Sequence, residues 1–339
     1  MMKIHSFFSK SVLACTAAIL TPVLAAGAQS SISSQCTSTV TQDACQKAID
    51  VFKFLAPQLG AVIAGGNTTL GVGGTLGGLG HIYVSGRATA VSSNIPRVDQ
   101  VTPSTSGARS DNYPTQSQIA GIPQADIAVG LFPGIPLGVT NVGGIDLLGS
   151  VSYLPSINAS GVHLSTPNGS VKFGGGVRVG IVQESILFPG VSVSYLRRGL
   201  PTVDLVSSNN TGDSLHINNI DVTTDSYRIV ASKTLLFLGL AIGAGQDRYN
   251  TSATGSAYVA SRAVAGVGSP AQSVGPISLT QTLTRTTYFA DGTLNFPFFK
   301  IIGEIGRTNS VNIPTFNTFA GSSAGAALTF GAVGVRLGL

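Results

Sequence analysis

Residues 326–339 read AALTFGAVGVRLGL. Counting back from the end, Leu339, Leu337, Val335 and Val333 fall on one side of an extended chain. Gly338, Arg336, Gly334 and Ala332, all small or charged, fall on the other. A period of two is the mark of a strand with one apolar face. The same alternation recurs in 145–153, 171–181 and 191–195. Composition narrows what those apolar faces meet. Charged residues make up 10% of the chain against 43% hydrophobic, where a soluble domain would carry about a quarter charged. A helical membrane protein needs runs of about 20 apolar residues, and none occurs after the N-terminal segment. Low charge without spanning helices fits outward residues that meet lipid and inward ones that are Gly, Ser and Thr. The net charge of +5 is spread along the chain with no basic cluster, so nucleic acid is not an expected partner. Trp is absent, so Tyr and Phe must form any aromatic girdle.

The final strand resembles the closing strand of bacterial outer-membrane β-barrels, although most of those end in Phe or Trp and this one in Leu339. The chain as a whole is similar to bacterial outer-membrane β-barrel proteins, and more distantly to the long-chain fatty acid transporter type. The features that carry the likeness are a signal, a short N-terminal helix, Phe-Pro turns and the terminal strand. It implies an all-β fold, an antiparallel transmembrane β-barrel of about 10–12 strands with a short N-terminal helix. It implies a place in the bacterial outer membrane, with membrane lipid and the barrel assembly machinery as partners. It transfers no functional residue.

Residues 1–28 read as a secretory signal. Lys3 and Lys10 open it, an apolar stretch follows, and Ala26-Gly27-Ala28 offers a cleavage site. Residues 29–66 form an N-terminal helical segment, either periplasmic or a plug, and 67–339 the barrel. Cys36 and Cys45 are expected to pair in an oxidising compartment; a loop this short gives about 2–3 kcal/mol. Between 43 and 56, Cys45, Ala48, Ile49, Phe52, Leu55 and Ala56 recur on one helical face. Asp43 suits the cap, and Pro57 discourages continuation. The helix either packs against the barrel base or enters the lumen.

Leu131-Phe132-Pro133-Gly134 recurs as Leu187-Phe188-Pro189-Gly190, with Asn295-Phe296-Pro297-Phe298 a close relative. Pro cannot donate to a sheet ladder, so these are turns. Longer polar segments alternate with them: 93–122, 155–168, 199–218, 251–278 and 308–325. Short turns would be periplasmic and long loops external. Candidate strands are 123–131, 142–154, 169–183, 190–198, 219–232, 238–250, 279–295, 300–308, the C-terminal strand and a first one within 68–92. Residues 71–80 are either strand or a glycine-rich lead-in.

Parity places Arg87, Asp126, Asp146, Lys172, Arg178, Lys300, Glu304 and Arg336 on inward faces, since Lys or Arg facing lipid at mid-membrane costs roughly 2–4 kcal/mol. Burying them dry would be costly unless they are paired. Either they satisfy one another, or they line a narrow wet lumen, and Gly174, Gly176, Gly180, Gly239 and Gly334 leave room for one. The expected function is to pass or bind small or apolar solutes; a structural or adhesive barrel with binding outer loops and no transport is the alternative. The histidines His81, His163 and His216 stand in no metal-ligand spacing, and no phosphate loop is present, so no cofactor, metal site or enzyme activity is expected.

Overall fold

The computed structural model describes residues 31–159, 162–264 and 267–338. The signal-peptide reading of 1–28 and the terminal Leu339 lie outside these residues. Among them, ten long strands close into a ring. They are β1 (Ile82–Pro96), β2 (Thr115–Phe132), β3 (Ile145–Tyr153), β4 (Val171–Val182), β5 (Gly190–Ser208), β6 (Ser214–Leu235), β7 (Leu238–Val259), β8 (Gln272–Asn295), β9 (Lys300–Thr308) and β10 (Thr329–Gly338). Each pairs antiparallel with its neighbour in sequence, and β10 pairs back onto β1, with Arg87 opposite Gly334 and Ser85 opposite Arg336. Closure leaves no open edge. All ten candidate strands are present, and residues 71–80 are lead-in rather than strand.

Alternation sets the faces as parity requires. Val171, Phe173, Val177, Val179 and Ile181 are exposed on β4, while Arg178 is buried between them. Ile145, Leu147 and Tyr153 on β3 do the same around the buried Asp146, Ser150 and Ser152. The Phe-Pro turns gather at one end, where Phe132, Phe188, Phe237, Phe296 and Phe298 stand exposed. Tyr153, Tyr227 and Tyr288 are exposed toward the other end of the apolar band. The fourth short turn has no proline; it is the two-residue hairpin at Leu236 and Phe237, and Leu236 takes a left-handed φ of 56°. The first Phe-Pro turn carries a small added hairpin, Ile135–Leu137 on Thr140–Val142.

The polar segments are more ordered than expected. β6 and β7 each run 22 residues and β8 runs 24, where a tilted span of the membrane needs about 9–11. Much of 199–218 and 251–278 is therefore strand, not loop. The period of two persists there, with Ile217, Ala257, Val259, Ile277 and Leu279 buried inside and Ser278 and Tyr258 exposed outside. Outward Ser and Thr tolerate water, and Thr is at home in strands, so a polar composition hid a regular structure. β3, β9 and β10 stay short, at 9, 9 and 10 residues. On that side the segments 97–114 and 309–328 cover the rim, joined by a parallel pairing of Asn112–Tyr113 with Thr318–Phe319.

The helix α1 (Gln42–Ala64) lies inside the ring, packed on β1, β2, β5, β6, β7 and β8. It is buried on nearly every side, as a helix enclosed by protein must be. It outruns the 43–56 span: Pro57 sits within it and the helix continues to Ala64. Enclosure overrides the local preference of proline. Asp43 does not cap it. Thr41 holds that place without a side-chain bond, and the Asp43 carboxylate instead accepts from the Ser104 N–H at 2.6 Å and the Arg109 N–H at 2.9 Å. Those two residues belong to the β1–β2 loop, so the start of α1 is at the long-loop end. Cys36 and Cys45 are disulfide-bonded there, with Cα atoms 5.6 Å apart.

Candidate functional site: the filled lumen

The chain descends from α1 toward the short turns through a glycine-rich stretch, 65–80, and the wall grips its backbone. Arg198 donates to the Ala64 carbonyl at 2.9 Å. Arg228 donates to the carbonyls of Gly65 and Gly66 at 3.0 and 2.8 Å. Arg87 donates to the Asn67 carbonyl at 2.9 Å and Arg336 to that of Leu70 at 3.2 Å. These include the last carbonyls of α1, which have no partner within the helix, and they lie at the negative end of its dipole. Cations fit there on both counts.

Carboxylates take the N–H groups of the same stretch. Glu304 accepts from Gly66 and Asn67 at 3.1 and 2.6 Å. Asp291 accepts from the Gly71 N–H at 2.9 Å and the Asn67 amide at 2.6 Å. Asp146 accepts from the Leu76 N–H at 3.2 Å. The wall groups also pair among themselves. Arg178 meets Asp146 at 2.6 Å, Arg228 meets Asp247 at 2.6 Å and Arg198 meets Asp126 at 3.0 Å. Arg87 lies 3.0 Å from Asp126 without a well-aimed N–H, so attraction of charge rather than a directional bond joins them.

Seven of the eight residues singled out by parity lie on the lumen side, and six belong to this network: Arg87, Asp126, Asp146, Arg178, Glu304 and Arg336. Lys300 is half-buried near the short turns. Lys172 departs from the pattern: it reaches through the wall to Asp221, at 3.3 Å. Arg198, Arg228, Asp247, Arg285 and Asp291 are inward too and escaped notice. Counting by twos along β5 to β8 finds them all.

The wet, open lumen does not fit these contacts. The cations have found backbone carbonyls rather than water or an anionic ligand. Arg178 is 1% exposed, so a cysteine in its place would be closed to a thiol reagent. The room left by inward glycines is taken. A Cβ at Gly334 would stand 2.7 Å from the Leu70 side chain, and one at Gly180 3.0 Å from Thr75. Nearer the long loops the lumen is apolar, where α1 shares one core with Val91, Ile217, Val222, Tyr249, Ile277 and Phe330.

Among the described residues no group of three His, Cys, Asp or Glu side chains could hold a metal ion. Gly321-Ser322-Ser323-Ala324-Gly325 has the spacing of a nucleophile elbow. It lies in the β9–β10 connection, with no strand leading into a helix, so the geometry that gives that motif its chemistry is missing.

The closed antiparallel ring, its outward apolar band and the aromatic residues at the band's borders define an integral β-barrel of the bacterial outer-membrane type. No family model and no curated protein matches the chain. Among solved structures it is similar to the attachment invasion locus protein Ail of Yersinia pestis, at 10% identity over 77% of this chain and 99% of that one, with a TM-score of 0.20. It is also similar to OmpT, an outer membrane protein of Vibrio cholerae, at 9% identity over 76% and 97% with a TM-score of 0.19. An anion-selective porin from Comamonas acidovorans matches at 10% identity over 76% and 98%, with a TM-score of 0.17. Likenesses this loose carry no argument about the work of this chain.

Proposed function

We propose that the protein is a plugged outer-membrane barrel that binds or passes small or apolar solutes, with its own N-terminal segment as the gate. In this reading 1–28 is removed on export, the described segment from 31 through 76 is the plug, and the barrel wall begins at β1. The supporting observation is the kind of grip at the centre. Wall arginines and carboxylates hold the backbone of 64–76, and among its side chains Leu70 and Leu76 add apolar packing. The polar contacts can be exchanged for water one at a time, and glycines at 65, 66, 71, 73 and 74 let the stretch rearrange. The apolar lining around α1 is what favours an apolar solute; the comparisons give no link to fatty acid transporters.

The second reading is a structural or adhesive barrel without transport. The tall wall of β5 to β8 beyond the apolar band favours it, since that wall offers a large rigid surface outside. Conductance across planar bilayers separates the two. On the gating proposal the native protein is closed most of the time, and Arg87→Gln with Arg228→Gln raises its open probability. Silence of the double variant, with its folded gel mobility intact, would leave the structural reading in place.

A further inference from the structure

The ladder between β4 and β5 ends early. Its last pair on the long-loop side is Gly175 with Arg197. Beyond it β4 continues to Val171, paired only with β3, while β5 goes on to pair with β6 and with a short strand, Val162–Ser165. The two strands part, and a pocket of about 300 Å3 opens in the wall there, a window partly filled by the Lys172 stem. Residues of both faces line it: Lys172, Gly174 and Arg198 from the lumen side, Phe173, Arg197 and Gly199 from outside. Gly199 makes room for the Lys172 side chain. A Cβ there would stand 3.0 Å from the Lys172 stem, which crosses at this point to reach Asp221.

Three cations therefore surround one opening. Two are held loosely. The Lys172–Asp221 pair is 39% and 45% exposed, and Arg197, 59% exposed, lies 3.5 Å from Asp225; pairs of that kind are weak in water. The third, Arg198, is buried, and its Nε has no hydrogen-bond partner. A buried donor without a partner is costly. Directly toward the membrane centre from Arg197, a groove of about 620 Å3 runs down the outer face, walled by Val177, Val193, Tyr195, Tyr227, Ile229 and Tyr288. Window and groove are neighbours along the wall, since Tyr195 and Val177 lie two residues from Arg197 and Gly175 on the same strands.

We propose that this is a binding site for an outer-leaflet lipid whose phosphate groups give it a net negative charge. The phosphate occupies the window between Lys172, Arg197 and the Arg198 Nε, and an acyl chain lies in the groove. Charge and position select this occupant: cations at the border of the apolar band meet headgroups, and the groove below them is apolar. The site is built from the wall and the band, and its one tie to the plug is Arg198, which also holds the Ala64 carbonyl.

The test is native mass spectrometry of the full-length barrel in detergent micelles, titrated with lipid A or with phosphatidylcholine. One lipid A is expected to be retained, about tenfold more tightly than phosphatidylcholine, and Lys172→Gln with Arg197→Gln to lower its affinity by about tenfold or more. Arg109→Gln, a cation in a distant loop, should change nothing. Unheated gel mobility checks that each variant is folded. Equal retention of the two lipids, or a double variant that binds lipid A as the native barrel does, would overturn the site. Binding of inorganic phosphate as tight as that of lipid A would overturn the lipid as its occupant.

Discussion

At the scale of the residue, the lumen is organised around a few arginines that each do two tasks. Arg228 is the plainest, holding Asp247 on the wall and two carbonyls of the plug. Arg228→Gln removes the charge and leaves Asp247 buried, still accepting from Ser226 at 2.6 Å and from Thr287 but without its cation. Breaking such a pair costs about 3–5 kcal/mol. The variant should unfold at lower temperature than the native barrel in detergent, and amides of 64–67 should exchange faster; unchanged exchange there would contradict the grip. Arg285→Gln should spare that stretch, because Arg285 donates to Asn309 and Ala326 carbonyls under the β9–β10 loop. In the outer connections Asp213 acts as a clamp. Burial alone would raise its carboxyl, but hydrogen bonds from Asn209, the Ala260 N–H, Thr211 and Arg262 outweigh that and hold it below its usual value. A carboxyl lowered by folding stabilises the fold above about pH 4 and loses that contribution as pH falls through its own lower value. The β5–β6 and β7–β8 connections should therefore become protease-sensitive only in acid, whereas Asp213→Asn should be cut at neutral pH. Equal sensitivity of native protein and variant at neutral pH would remove the clamp.

At the scale of the element, α1 depends on its enclosure more than on its own sequence. Gly60 faces the ring of Tyr249, and a Cβ there would come within 2.6 Å of it. Gly60→Leu should keep the barrel's strand content but loosen α1, and proteolysis should release an N-terminal fragment the native protein does not yield. A variant as resistant as the native protein would mean the helix has slack to move. Cys36 and Cys45 tie the segment before the helix to its first turn, and intact mass after thiol labelling without reductant should show no free thiol. How far each element could be read in advance follows from the same physics. The strands were legible because alternation is enforced by lipid on one side and protein on the other. Arg87, Asp126, Asp146, Arg178 and Arg336 were legible for that reason. The extensions of β6 to β8 were not, because outside the membrane the outward face turns polar and looks like loop. The end of α1 was not either, since Pro57 is a local signal and the enclosing wall is not. Nor could parity find the partners of the arginines, because main-chain carbonyls have no sequence. The unpaired-looking cations were the trace of them.

At the scale of the whole molecule, this is a barrel with its own chain threaded through it. Residues 31–41 sit at the long-loop end, where Gln35 exchanges hydrogen bonds with Ser278 of β8. From there α1 and the glycine-rich stretch pass down the lumen, and the chain emerges beside the short turns at Leu79, which is 78% exposed. In a membrane the two ends of the plug thus face opposite compartments. The direct measurement is antibody binding to a short epitope inserted after Ser34, or in a second variant after Leu79, on intact and on permeabilised cells. The threaded barrel predicts that the epitope at Ser34 is bound on intact cells and that the one at Leu79 is bound only after permeabilisation. If both epitopes are reached only after permeabilisation, in cells whose barrel keeps its folded gel mobility, the N-terminal segment does not run through the lumen to the outside, and the account is wrong at its centre.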